Sequence, residues 1–199
     1  MLEEGTKAAF DQAHVARTIR GQNGVLVAPA GAFKTGLALN WALEWTRHAR
    51  GHGGGGGGTP LVVYFTLSTL HVQQVLDCVR KYTTVPPGEV AFFSGTGTSD
   101  DGTGFETLKA CRGDYSVVVT TYYTLTTTES DRGGALRALA AKAPFLVVVA
   151  DECNHVVAPT VYTALVALFR GRGWKKFATL GVTMCSKREG PRGAEEERA

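Results

Sequence analysis

The chain has 199 residues, 44% of them hydrophobic, and a formal net charge of +3. That length and apolar fraction fit one domain with a self-sufficient core and exclude wholesale disorder. So small a charge excludes nucleic-acid binding driven by bulk electrostatics, and any such surface has to be local.

Short β-branched runs alternate with helical patterns. Val25–Ala28 reads as a strand, and Thr35–Ala49 as a helix carrying Leu37, Leu39, Trp41, Leu43 and Trp45. Leu61–Phe65 reads as a second strand and Thr69–Tyr82 as the helix after it. Val90–Phe93 is a short strand and Val117–Thr121 a stronger one. Ala135–Lys142 is helical, Phe145–Ala150 an apolar strand, Thr160–Phe169 a helix and Phe177–Thr183 the last strand.

These strands are nearly continuous apolar runs, a pattern that suits a mainly parallel sheet covered on both faces. Repeated βα units imply right-handed crossovers and an α/β three-layer sandwich. Ligands of such sheets bind at the carboxyl ends of strands, where every motif below falls. One domain is expected over residues 1–186, with a glycine-rich insertion at 51–58 that contains the run Gly53–Gly58. Residues 187–199 are charged and aperiodic, and are expected to form a disordered tail.

Cys78, Cys111, Cys153 and Cys185 are far apart, with no CxxC pair, which is poor zinc spacing and a poor disulfide framework. The start Met1-Leu2-Glu3-Glu4 lacks the basic and apolar regions of a signal peptide, and no apolar run approaches a membrane span. A reducing intracellular compartment, nucleus or cytoplasm, is the expectation.

The first chemical motif is Ala28-Pro29-Ala30-Gly31-Ala32-Phe33-Lys34-Thr35, between the strand Val25-Leu26-Val27 and a helix. A phosphate-binding loop needs that context. Backbone N–H groups wrap the anion, Lys34 reaches the terminal phosphates, and the Thr35 hydroxyl takes Mg²⁺. The pattern asks for Gly immediately before the lysine, where this chain has Phe33. A large side chain there restricts φ and crowds the approach to phosphate.

The second motif is Val147-Val148-Val149-Ala150-Asp151-Glu152. Adjacent carboxylates ending a buried strand are costly unless a cation or a reaction uses them. Asp151 suits Mg²⁺, and Glu152 suits a general base that polarises the attacking water.

Around these motifs the chain resembles the first RecA-like domain of superfamily 2 helicases, the DEAD/DEAH-box-like group, especially its type III restriction and excision-repair branch. The loop Pro29-Ala30-Gly31-Ala32-Phe33-Lys34-Thr35 is similar to that family's first motif, and Asp151-Glu152-Cys153-Asn154-His155 to its second. Leu180-Gly181-Val182-Thr183-Met184-Cys185-Ser186-Lys187-Arg188 is similar to its third. Val62–Gln73 and Val119–Leu125 look like segments that in relatives contact a nucleic-acid backbone, and Gln12 is similar to an adenine-reading glutamine. The resemblance covers roughly residues 10–190. It implies an ATP-binding P-loop fold using ATP and Mg²⁺, with Thr66, Leu67, Thr121 and Tyr122 near DNA or RNA. Thr183 and Arg188 would link the two sites, and a second RecA-like domain, in cis or in trans, would complete the motor.

Departures accompany the matches. Phe33 replaces glycine, Asn154 replaces the histidine that relatives use for coupling, and Cys185-Ser186 replace the usual Thr-Pro. They motivate an alternative: a catalytically degenerate module that binds nucleic acid or protein. A packaging or transport ATPase is disfavoured by Leu180–Arg188. The histidines His14, His48, His52 and His71 lack metal-ligand spacing, and Trp41 with Trp45 reads as core. Lys175-Lys176 reads as a solvated turn, and Arg47 with Arg50 as cations complementing a helix C-terminus.

Overall fold

A computed structural model of the chain describes residues 12–52, 59–92, 116–126, 131–170 and 176–184. The six-glycine run, Cys111, Lys175, the expected tail and everything from Cys185 to Arg188 lie outside the described residues.

Elements alternate along the chain: α1 (Gln12–Ile19), β1 (Gly24–Ala28), α2 (Lys34–His52), β2 (Leu61–Thr66) and α3 (Thr69–Tyr82). A 3₁₀ turn (Pro87–Glu89) leads into β3 (Val90–Phe92), followed by β4 (Val117–Thr121), α4 (Tyr122–Thr126) and α5 (Asp131–Lys142). Then come β5 (Leu146–Asp151), a second 3₁₀ turn (Cys153–Val157), α6 (Pro159–Phe169) and β6 (Phe177–Met184). The strands form one sheet in the order β1-β6-β5-β2-β4-β3, and neighbouring strands run parallel.

Parallel pairing explains the composition. Every residue of β2 (LVVYFT) and of β4 (VVVTT) is buried, because helices cover both faces at mid-sheet. One core layer packs Leu26, Val62, Tyr64, Val119, Val149 and Leu180 under α1, α2 and α3. The other sets Val63, Phe65, Val118 and Val148 against Leu125, Leu136, Leu139, Leu165 and Leu168 of α4, α5 and α6. Full burial of each such side chain contributes about 1.5–3 kcal/mol. Trp41 is buried, its indole N–H donating to Gln22 O at 3.0 Å, and Trp45 stacks on Phe145. Both tryptophans are therefore packing groups.

Coverage stops at the sheet's edge. Val25 and Val27 of β1 are 61% and 54% exposed, so among the described residues β1 is covered on one face only. The expectation of two covered faces therefore holds for the middle of the sheet and not for β1. α1 packs Val15, Ala16 and Ile19 on the first core layer, adding a helix the apolar runs do not announce.

Candidate functional site

The carboxyl ends of β1, β2 and β5 bring the motif residues together. After Ala28 the chain turns through Pro29–Ala32, with Ala32 N–H donating to Pro29 O at 3.3 Å. Gly31 takes φ +75°, a left-handed conformation open to a residue without Cβ. Phe33 also takes φ +56°, so a phenylalanine adopts the backbone shape for which glycine is ordinarily required. That conformation costs about 1–2 kcal/mol for an L-residue. The Phe33 carbonyl accepts the Leu37 N–H at 3.1 Å, so this strained residue caps α2.

The ring of Phe33 turns aside. It lies over Gly36 and meets the Tyr82 ring edge-on, with centroids 5.0 Å apart. The sequence alone suggests a ring obstructing the loop; the structure seats it between the first turn of α2 and the end of α3. Inside the loop, the Lys34 ammonium donates to Ala28 O at 3.3 Å and Pro29 O at 3.1 Å.

Asp151 ends β5, and burial pushes its carboxyl above the ordinary carboxylate range. The Glu152 N–H, donating to Asp151 Oδ1 at 3.0 Å, opposes that rise, and the nearby charges of His71 and Lys34 oppose it further. The neighbouring Glu152 carboxylate adds to it. Burial also drives the Tyr64 phenol far up, with Asp151 adding to the effect and the Thr35 hydroxyl working against it. Asp151 thus lies within electrostatic range of Lys34, His71 and Tyr64, and Tyr64 lies beside Thr35.

Tyr64 is fully buried, and its hydroxyl makes no hydrogen bond of normal geometry. Mg²⁺ characteristically takes one or two protein oxygens and completes its shell with water and substrate phosphate. Thr35 and Asp151 supply that donor set, a hydroxyl and a carboxylate. The residues fit the metal.

Glu152 is the other non-glycine residue with positive φ among the described residues, at φ 49° and ψ 53°. Backbone strain of this sort gathers at functional sites. The chain then enters the 3₁₀ turn, leaving Asn154 and His155 exposed. Cys153 packs against Gly181 of β6, tying the second motif to the third. Thr183 lies half-buried beside Val27.

The remaining sites divide by burial. Thr66, Thr121 and Tyr122 are interior: Thr66 Oγ1 donates to Ser68 O at 3.1 Å, and Thr121 Oγ1 accepts the Thr124 N–H at 3.3 Å. The Tyr122 ring stacks on Phe65, and its hydroxyl donates to Asp151 O at 2.8 Å. Leu67, 39% exposed, is the one of these four whose side chain reaches the surface. Gln12 opens α1, and Arg188 lies outside the described residues. Tyr64 and His71, both inside the Val62–Gln73 segment expected beside a nucleic-acid backbone, also act on the Asp151 site. For Tyr64 the signal is strand order, because β2 pairs directly with β5.

A cavity of about 590 Å³ lined by Arg20, Gly21, Glu44, Trp45, Arg47 and His48 contains none of the motif residues. An ion pair between Arg20 and Glu44 at 3.5 Å lies among its walls. Its size does not make it the chemical site.

No protein-family model matches the chain, and no curated protein matches it significantly. Solved structures do. The helicase domain of Pyrococcus furiosus Hef superposes with a TM-score of 0.59 at 19% identity, over 90% of this chain and 34% of that one. The UvsW helicase of bacteriophage T4 gives 0.53 at 18% identity, over 90% of this chain and 52% of that one. The chain thus spans about a third and about half of these proteins' lengths. At such identities the likeness establishes the fold: a RecA-like α/β domain of the kind found in helicases.

Proposed function

We propose that the chain is the ATP-binding domain of a superfamily 2 helicase-like, nucleic-acid-dependent ATPase. The observation that carries this reading is the convergence of Lys34, Thr35 and Asp151 beneath a loop whose intruding ring is turned away. Lys34 exchanges its two loop carbonyls for the β/γ-phosphates of ATP, and the N–H groups at the start of α2 face the same anion. Thr35 and Asp151 hold Mg²⁺, which supplies charge neutralisation at the phosphate oxygens. Glu152 orients and deprotonates the attacking water.

Hydrolysis at speed needs a cation opposite the γ-phosphate, which in this enzyme class comes from a second RecA-like domain. We assign that role to a partner domain, in cis or in trans. DNA or RNA would cross the same carboxyl face near Leu67 and the start of α3, while the buried Thr66, Thr121 and Tyr122 shape its floor.

Titration of a fluorescent ATP analogue with Mg²⁺ tests the reading. Saturable binding weakened by about tenfold or more in Lys34→Ala, equivalent to ~1.4 kcal/mol, supports it. Equal binding by both proteins, or none by either, contradicts it and favours a degenerate binding module. Salt-dependent binding to single-stranded oligonucleotides tests the second surface.

A further inference from the structure

The geometry points to Gly36 as a positioning residue for the nucleotide loop: its missing side chain is the seat that keeps the Phe33 ring off the phosphate path. This rests on the ATP-binding reading above and adds a residue that no phosphate-binding pattern requires. A Cβ placed at Gly36 would lie 1.9 Å from Phe33 Cε1, 2.3 Å from Cζ and 2.5 Å from Cδ1. Contacts that short are impossible, so any side chain at position 36 expels the ring from its seat.

The expelled ring has little freedom. The backbone of Phe33 is fixed by its left-handed φ and by the Leu37 N–H bond to its carbonyl. Only a change of side-chain rotamer remains, and staggering leaves few wells to choose from. In its present well the ring has Gly36 beneath it and the Tyr82 edge beside it, and the Lys81 ammonium lies 5.2 Å from the Tyr82 centroid. Although 38% exposed, Phe33 is therefore held on two sides. A ring driven out of that well toward the loop it flanks would lie where Lys34 and the backbone N–H groups must receive phosphate. Phe33 and Gly36 thus act as a pair, the glycine compensating for the phenylalanine.

A double-mutant cycle tests this, using the full chain and a fluorescent ATP analogue with Mg²⁺, with melting recorded for each protein. The variants are Gly36→Ala, Phe33→Gly and the two combined. Gly36→Ala alone is expected to weaken binding by about tenfold or more, equivalent to a free-energy change of ~1.4 kcal/mol. In the Phe33→Gly background the same alanine is expected to change affinity less than about twofold, because no ring remains to displace. Wild-type affinity in Gly36→Ala, or an equal loss in both backgrounds, overturns the inference while leaving nucleotide binding standing. Absence of binding in all four folded proteins overturns the ATP reading and this inference with it. If Gly36→Ala does not fold, folding restored in the double variant supports the ring contact, and folding still lost overturns it.

Discussion

The Tyr122 hydroxyl donates to the Asp151 carbonyl at 2.8 Å, joining the first turn of α4 to the last residue of β5. The ring is stacked on Phe65 at 5.6 Å, so a single aromatic side chain fixes the floor of the site from one side. Tyr122→Phe keeps the stack and leaves that carbonyl without this donor. We expect a loss of about 1–2 kcal/mol in urea unfolding with little change in the slope of the transition. A few-fold weakening of Mg²⁺-nucleotide binding should accompany it. Unchanged stability would show that the bond contributes nothing.

Asp151 gives a prediction in pH. Burial raises its carboxyl in the folded state, so as pH rises the unfolded chain releases this proton first. Between the ordinary carboxylate range and the raised folded value, the native state holds more protons, and stability falls as pH rises. Asp151→Asn removes that penalty. In metal-free buffer it should be more stable than wild type at pH 7, with the gap closing below the ordinary carboxylate range. The variant should also lose the tightening of nucleotide binding by Mg²⁺. Urea midpoints taken across this range check it, and a gap independent of pH contradicts it.

Gly181 is crowded in a different way. A Cβ there would lie 2.9 Å from Cys153 Sγ, 3.1 Å from Cys153 Cβ and 3.3 Å from Val25 Cγ2. Gly181→Ala should therefore displace Cys153, and with it the neighbouring Glu152, at a cost of about 1–3 kcal/mol. Cys153→Ala removes the nearest atom and should recover part of that loss. Thermal melts of the two single variants and the double variant measure the coupling, and strictly additive losses would refute the contact.

Ser68 caps α3, accepting the His71 N–H at 3.4 Å and lying 3.3 Å from His71 Nδ1. Ser68→Ala should cost roughly 1 kcal/mol, as for other lost helix caps. Because His71 favours the charged form of Asp151, the same change should weaken Mg²⁺ binding more than it weakens binding of nucleotide alone. Parallel titrations with and without the metal separate the two effects.

Much of the fold is legible in the apolar runs. Leu61–Thr66 and Val117–Thr121 are hydrophobic on both faces because neighbouring strands and helices cover both. Val25 and Val27 look the same in sequence and are exposed, since coverage depends on which helices arrive from elsewhere. α4 (Tyr122–Thr126) escapes periodicity because it is little more than one turn of β-favouring residues. At the site, Lys34, Thr35, Asp151 and Glu152 are visible as motifs. Tyr64 and His71 fall inside the Val62–Gln73 match, but their closeness to Asp151 comes from the pairing of β2 with β5 and the turn into α3. Phe33 is the instructive case. Taken alone it reads as an obstruction, and the glycine three residues later was the available sign that the ring has somewhere to go.

The most direct test is a crystal of the chain soaked with a non-hydrolysable ATP analogue and Mg²⁺. The account predicts terminal phosphates within hydrogen-bond reach of Lys34 Nζ, the metal between Thr35 and Asp151, and the Phe33 ring resting on Gly36. Density for that ring across the loop, with Lys34 still bonded to Ala28 O and Pro29 O and no phosphate bound, would contradict it.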